Sequence, residues 1–307
     1  MFTPTSYWQR HIRNVYKYGN LQKYLNIMHA YISFLLKKKN ITSMPAFLKV
    51  EVCRYCDVQC LYCYMDKANV LYPFDLYMKL IDQFKDYIFL VSLYDIGEPL
   101  HNPHLLEYVK YANNNNVGTI ISSSLSVEKD DSYWIELVTS GLDTLIVAID
   151  GITPEVYNYY RRNGKFDLIF SNLKKIIEYR NKYSSKLLVE WQMVDFEWNQ
   201  HEQSEAKKMA LAIGCDRFRI IAEAANKRLS NHKKEIIRDR NCILPYLLFF
   251  VTAHNEVRLC YKVYNHDMRI GSLNNNSFID IWNGSQIARV RDPKQIINRI
   301  GCQHCNE

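Results

Sequence analysis

Six short runs rich in β-branched and aromatic residues alternate with helical patterns between residues 46 and 221, and this alternation limits the fold more than any other feature. The runs are AFLKVEV (46–52), FLVSLYD (89–95), GTIISS (118–123), TLIVAID (144–150), LLVEWQMV (187–194) and FRII (218–221). Between and after them, the 3.6-residue period predicts helices near 74–87, 103–114, 131–140, 154–161, 167–183 and 202–213. Asn102-Pro103 and Thr153-Pro154 each set a capping side chain before a first-turn proline. Successive β/α units pair their strands in parallel, because each helix carries the chain back to the same end of the sheet. The expected fold is α/β, a partial (β/α)6 TIM-like barrel over residues 47–225.

Two segments stand outside that pattern. Residues 1–46 hold Arg10, Arg13, Lys17, Lys23, Lys37, Lys38 and Lys39 and no Asp or Glu, which equals the whole net charge of +7. Leu21, Tyr24, Leu25, Met28, Tyr31, Ile32 and Leu35 are spaced three and four apart, as on one face of an amphipathic helix. That face is expected to pack against the main domain; the competing reading is a basic, aromatic helix touching an anionic membrane surface or partner. At the other end, a polar linker (226–241) precedes residues 242–307, where short strands, turns and four cysteines predict a small α+β domain. No run of eighteen apolar residues and no signal-peptide layout occur, so a cytoplasmic protein is expected, peripheral to the membrane if the basic helix binds there. Because the charge excess is confined to one segment, no nucleic-acid partner is expected.

The nine cysteines cluster instead of spreading. CRYCDVQCLYC runs from Cys53 to Cys63 directly after the first predicted strand, and within it lies Cys56-x3-Cys60-x2-Cys63. Disulfides inside so short a loop would close strained rings. A zinc ribbon separates its cysteine pairs by a dozen or more residues. Iron-sulfur clusters tolerate such crowding, since each thiolate binds a different iron.

This spacing resembles that of the radical S-adenosylmethionine (radical SAM) superfamily, and the likeness extends along the chain. In that family three cysteines hold a 4Fe–4S cluster whose fourth iron chelates S-adenosylmethionine. One electron then yields a 5'-deoxyadenosyl radical, which takes hydrogen from an unactivated carbon. The resemblance implies Cys56, Cys60 and Cys63 as ligands, and Tyr62 against the adenine. IGEPLHNP (96–103) resembles the family's GGEP segment through Gly97, Glu98 and Pro99, with Ile96 in place of the first glycine. Glu98 is thereby a candidate for the SAM amino group. Ser122 and Ser124 stand where relatives read I-S-T-N-G-T, as candidates for ribose or carboxylate. VAIDG with the following YNYYRRNGKFD (157–167) resembles S-I-D-G, Y-x-x-x-R and G-x-F-D, placing Asp150 at a strand end and Arg161 as a carboxylate partner. Asp150-Gly151 as a mere turn, and Arg161 paired with a surface acid, are the plainer alternatives.

Cys242, Cys260, Cys302 and Cys305, with CYKV, IGSL, FIDIWNG and CQHC around them, resemble a SPASM or Twitch extension. That implies one auxiliary 4Fe–4S cluster, with zinc as the competing occupant. A fully ligated cluster suits electron acceptance, hence net oxidation of substrate, with holding the fold together as the alternative. Glu190 and Gln192 share one face of a predicted strand, with Trp191 on the other, and are substrate-facing candidates beside Asp150. Cys53 reads as a strand-end residue, able to compete as a ligand if Cys56 were lost, and Cys215 as a small buried hydrophobe, with a hydrogen-donor role at the barrel mouth as its competing reading. The expected substrate is a carbohydrate or other small alcohol or amine, with a peptide or protein as the alternative; a flavodoxin- or ferredoxin-type donor supplies the electron. A reading of another class is a non-catalytic iron-sulfur carrier or zinc structural protein.

Overall fold

The computed structural model describes residues 5–63, 68–222, 242–260 and 269–292. Two N-terminal helices, α1 (Thr5–Tyr18) and α2 (Leu21–Leu35), precede β1 (Phe47–Val50) and the short β2 (Gln59–Cys60). The repeating region follows as α3 (Phe74–Phe84), β3 (Leu90–Ser92), α4 (Leu105–Asn114), β4 (Gly118–Ser123), α5 (Asp131–Thr139) and β5 (Thr144–Ala148). It continues through α6 (Pro154–Tyr160), β6 (Arg161–Arg162), α7 (Phe166–Lys182), β7 (Leu188–Asp195), α8 (Gln203–Ile213) and β8 (Arg217–Ala222). The C-terminal part contributes α9 (Leu244–Leu247), β9 (Leu248–Val251), β10 (Glu256–Arg258), β11 (Arg269–Ser272), α10 (Phe278–Trp282) and α11 (Ser285–Arg291).

Among the described residues, nine strands form one sheet in the order β11-β10-β9-β1-β3-β4-β5-β7-β8. The six strands from β1 to β8 run parallel, as the alternation predicts. One arrangement was not legible: β9 pairs in parallel with β1, Phe47 opposite Leu248, so C-terminal strands extend the barrel sheet. The linker 226–241 lies outside the described residues.

Side chains alternate across the sheet. Leu48, Val91, Ile121, Val147, Trp191 and Phe249 face the helices and join α3, α4, α5 and α7 in the main core. Each such fully buried side chain contributes ~1.5–3 kcal/mol. Phe47, Leu90, Ile120, Ile146 and Leu248 face inward near the N-terminal end of the barrel, where Ala30 of α2 joins them. Tyr18 of α1 donates to Asp143 ahead of β5, Oη to Oδ2 at 3.0 Å, and Lys17 pairs with the same carboxylate at 2.8 Å. The two helices thus close the bottom of the barrel.

The orientation of α2 reverses the expected packing. Its buried residues are Lys23, Asn26, Ala30 and Ser33, while the apolar row faces outward. The cause is what the barrel bottom offers: strand-end carbonyls in need of donors. Lys23 Nζ donates to the Asn116 carbonyl at 2.6 Å, and Asn26 exchanges hydrogen bonds with both backbone groups of Met44, at 3.0 and 2.8 Å.

Candidate functional site

The cysteine loop leaves the C-terminal end of β1 and is pinned on both sides. Arg54 N–H donates to the Val70 carbonyl at 2.9 Å, Cys53 bridges Leu71, and Asn102 Nδ2 reaches the Val52 carbonyl at 2.8 Å. Glu51, fully buried, accepts from Arg54 at 2.9 Å and from the Ala253 N–H of the C-terminal part at 3.0 Å. Asp57 meets His101 at 3.0 Å, tying the loop to the turn after the GEP segment. Burial works against the Asp57 charge, and the His101 contact more than offsets it, holding that carboxyl below its usual range.

Gly97 shows why the segment carries a glycine. A Cβ there would lie 2.2 Å from the Cys53 carbonyl oxygen and 2.8 Å from the Arg54 backbone. The two chains touch backbone to backbone, and the Glu98 N–H donates to the Tyr55 carbonyl at 2.8 Å. Gly97→Ala is expected to push the loop away, lowering stability by ~1–3 kcal/mol and reducing iron bound per chain. Thermal unfolding and iron quantification after anaerobic reconstitution check both.

Cys60 lies in β2, which pairs antiparallel with β6 so that Cys60 stands opposite Arg161. The Leu61 N–H donates to the Tyr160 carbonyl at 2.8 Å, and the Cys63 N–H to the Cys60 carbonyl at 3.0 Å. Arg161 Nη1 lies 3.9 Å from Cys60 Sγ, while its Nε donates to Asp150 Oδ2 at 2.5 Å. Asp150 is fully buried, and its Oδ1 accepts from Val194 N–H at 2.7 Å. Burial alone would lower the pKa of Arg161, but Asp150 and Cys60 outweigh it and hold the guanidinium firmly charged. The strand-end acid and the arginine, eleven residues apart, therefore form one buried unit reaching a cysteine sulfur.

Glu98 and Ser124 also meet. Glu98 Oε2 accepts from both the Ser124 N–H and its hydroxyl at 2.8 Å, and Oε1 accepts from Leu100 N–H at 3.2 Å, capping the short helix Pro99–His101. Ser122 stands on the inner face of β4, two residues away. Glu190 and Gln192 face the barrel interior, while Trp191 packs among Phe170 and Phe218 on the helix side and donates to the Ile149 carbonyl at 2.9 Å. Glu190 lies 3.6 Å from Arg219 of β8.

Sequence reasoning missed several residues here. Tyr160, Phe196 and Trp198 surround Tyr62 with ring centroids 6.1 to 6.4 Å away, and Phe196 stacks on Trp198 at 4.3 Å. Their signal was present in DFEWN, an aromatic pair directly after a strand end. Asn199 Nδ2 holds the Asp150 carbonyl at 3.0 Å, and Glu202 accepts from Ile152 N–H at 2.6 Å. Lys49 and Asp95 pair at 3.0 Å on the inner wall.

The other cysteines separate. Cys53 is buried, its thiol directed at the Tyr55 carbonyl and pushed up to about 11 by burial. Cys215 sits in the helix-facing core rather than at the barrel mouth, its thiol raised to about 12 by burial. Cys242 is exposed and Cys260 half-buried; Cys302 and Cys305 lie outside the described residues.

Residues 50–189 match the radical SAM superfamily, and residues 242–306 match SPASM, an iron-sulfur cluster-binding domain. The chain belongs to the radical SAM superfamily. It carries a C-terminal SPASM-like domain, and this architecture is that of an oxidoreductase-type enzyme. A search of curated protein sequences finds no relative. Among solved structures, Streptococcus suis SuiB bound to its precursor peptide SuiA is 14% identical, with 94% of this chain and 79% of that chain covered and a TM-score of 0.64. BtrN in complex with AdoMet and 2-DOIA is 16% identical, with 86% and 94% covered and a TM-score of 0.54. AnSMEcpe with AdoMet and the Cp18Cys peptide is 13% identical, with 80% and 81% covered and a TM-score of 0.58.

Membership in this radical SAM family implies iron-sulfur and SAM cofactors, and the donor chemistry suits them. Three cysteines share one pinned loop, soft thiolates of the kind that bind iron-sulfur clusters. Among the described residues, no three His, Cys, Asp or Glu side chains converge as the ligands of a single ion would. A cubane spreads its thiolates over separate irons, so its ligands need no such convergence. The aromatic group around Tyr62 offers flat apolar surface to a purine.

Proposed function

We propose that this radical SAM enzyme carries out a net oxidation or crosslinking of a peptide or protein substrate at the C-terminal mouth of the barrel. The observation that carries this reading is the extent of the likeness to SuiB, 94% of the chain at a TM-score of 0.64, against 86% and 0.54 for BtrN. The sequence favoured a carbohydrate or small alcohol; the fold comparison shifts the balance to a peptide. Cys56, Cys60 and Cys63 hold the cluster, and Cys242, Cys260, Cys302 and Cys305 the auxiliary one. When bound, the first cluster would supply the electron for S-adenosylmethionine cleavage, and the auxiliary cluster would offer an electron acceptor.

The chain's own residues bind and orient. Tyr62, with Tyr160 and Trp198 nearby, flanks the adenine. Glu98, fixed by Ser124, sets the GEP backbone against the cosubstrate amino group, and Ser122 offers a hydroxyl beside it. The Asp150–Arg161 unit fixes β6 against Cys60 and so positions the cluster loop. Gln192 meets substrate amide groups on the inner wall. Glu190 receives the proton that net oxidation releases once hydrogen has left the substrate carbon. A flavodoxin- or ferredoxin-type protein supplies the reducing electron.

Anaerobically reconstituted enzyme is tested with dithionite, SAM and two substrate pools: peptides from the host proteome, and amino sugars with polyols. The expected result is deoxyadenosine formation stimulated by peptide, with a peptide product that has lost two hydrogens by mass spectrometry. Stimulation by the sugar pool alone would replace this reading with the small-molecule one.

A further inference from the structure

The outward apolar stripe of α2 lies in a segment that carries no acidic residue. Leu21, Leu25, Met28, Ile32 and Leu35 are 43 to 74% exposed and run the full length of the helix at three- and four-residue spacing, with the exposed Leu36 directly after it. Isolated exposed leucines are ordinary, but a contiguous apolar stripe marks a contact surface. The inward face is filled by Ala30, Ile27 and Phe34 together with Lys23 and Asn26, which bond the Asn116 and Met44 carbonyls, so the exposed row has no place there. The helix thus packs a mixed face on the protein and leaves its larger apolar row to an external phase.

We propose that α2 is an interfacial membrane helix, which seats the bottom of the barrel on an anionic lipid surface. Charge selects this occupant. Lys37 and Lys38 follow the stripe and are exposed, and residues 1–46 contain no acid, while Lys17 and Lys39 are already paired with Asp143 and Asp292 and Lys23 is buried. Two copies of this chain meeting through α2 would leave the exposed Lys37 and Lys38 of each facing a helix with no acid to pair them, which opposes self-association. An anionic bilayer satisfies both features, taking the apolar face into the acyl boundary while lysines meet the headgroups. Tyr31, 50% exposed, supplies an amphipathic ring that favours that depth. With 15 residues, α2 is about 22 Å long and lies along the surface; among the described residues no helix is long and apolar enough to cross a membrane.

The placement has a consequence for catalysis. Ala30 packs on Phe47 and Leu90, which open β1 and β3, whereas the cysteine loop leaves the opposite ends of the strands. A protein seated on α2 turns its mouth away from the lipid. Its substrate then arrives from the aqueous side, and the membrane serves to localise the enzyme.

The test is flotation of the full chain with vesicles of phosphatidylcholine alone, or mixed with phosphatidylglycerol, at low and high salt. Wild type is expected to float with the mixed vesicles only and to be released by salt. Leu25→Glu/Ile32→Glu should not float, while its unfolding temperature and deoxyadenosine formation stay those of wild type. Lys37→Gln/Lys38→Gln should weaken binding roughly thirtyfold, from the contribution of each lysine near an anionic surface. Absence of flotation would overturn the proposal, as would flotation that survives Leu25→Glu/Ile32→Glu. A dimer in light scattering that the same double variant splits would reassign the stripe to self-association, and binding of an acidic protein in place of vesicles would reassign it to that partner. None of these outcomes touches the choice between peptide and sugar, which is read at the other end of the barrel.

Discussion

Cys60→Ala is expected to abolish S-adenosylmethionine cleavage and to lower bound iron from about eight to about four per chain. The magnitude follows from position. Cys60 is the one cysteine of the three that lies in a strand, held opposite Arg161 with its sulfur 3.9 Å from the guanidinium. Losing it would remove a proposed ligand; burial pushes the Cys60 thiol up, and the Arg161 guanidinium beside it works against that rise. Cys56→Ala is expected to be as severe, even though Cys53 stands only three residues upstream. Cys53 is 2% exposed and bridged to Leu71, and would have to break that bridge to reach a cluster. Anaerobic iron quantification with a deoxyadenosine assay separates the outcomes. Four irons left in the variant locate the remainder in the C-terminal part; no iron left, with zinc present, would assign zinc to the SPASM-like cysteines. Cleavage persisting in Cys60→Ala would remove the Cys56-x3-Cys60-x2-Cys63 loop from the reaction.

What the sequence made legible were features with a local period or a local motif. The six parallel strands fall close to their predicted bounds, because each is a short β-branched run between helices of strong period. The split of Glu190 and Gln192 from Trp191 followed from strand alternation alone. Three things were not legible, each for a reason of tertiary origin. The apolar stripe of α2 predicted a buried face, yet the barrel bottom presents carbonyls, and hydrogen-bonding demand set the orientation instead of apolar area. The parallel pairing of β9 with β1 joins residues about two hundred apart, and no local pattern encodes such a register. The aromatic group around Tyr62 assembles from a loop, a helix end and a strand end, so its members looked like ordinary aromatics in the chain.

Arg161→Met is expected to destabilise the fold by ~3–5 kcal/mol, because it leaves the fully buried Asp150 carboxylate without its cation. Val194 N–H and the carboxylate's remaining surroundings cannot replace a charged donor at 2.5 Å. The same change frees β6 from Asp150 and slackens the strand opposite Cys60, so deoxyadenosine formation should fall about a hundredfold or more, the scale set by misplacing a reacting group by an ångström. Asp150→Leu combined with Arg161→Met separates the two effects. With no lone charge left inside, most of the lost stability should return, since apolar replacement of a buried pair is close to neutral. Activity should not return, because nothing then ties the end of β5 to β6 and the cysteine loop. Thermal unfolding under anaerobic conditions reads the first quantity, and single-turnover deoxyadenosine formation the second. Recovery of both in the double variant would make the pair a packing feature and take Asp150 and Arg161 out of the site. Recovery of stability alone would place them as the residues through which the barrel mouth holds Cys60 in register.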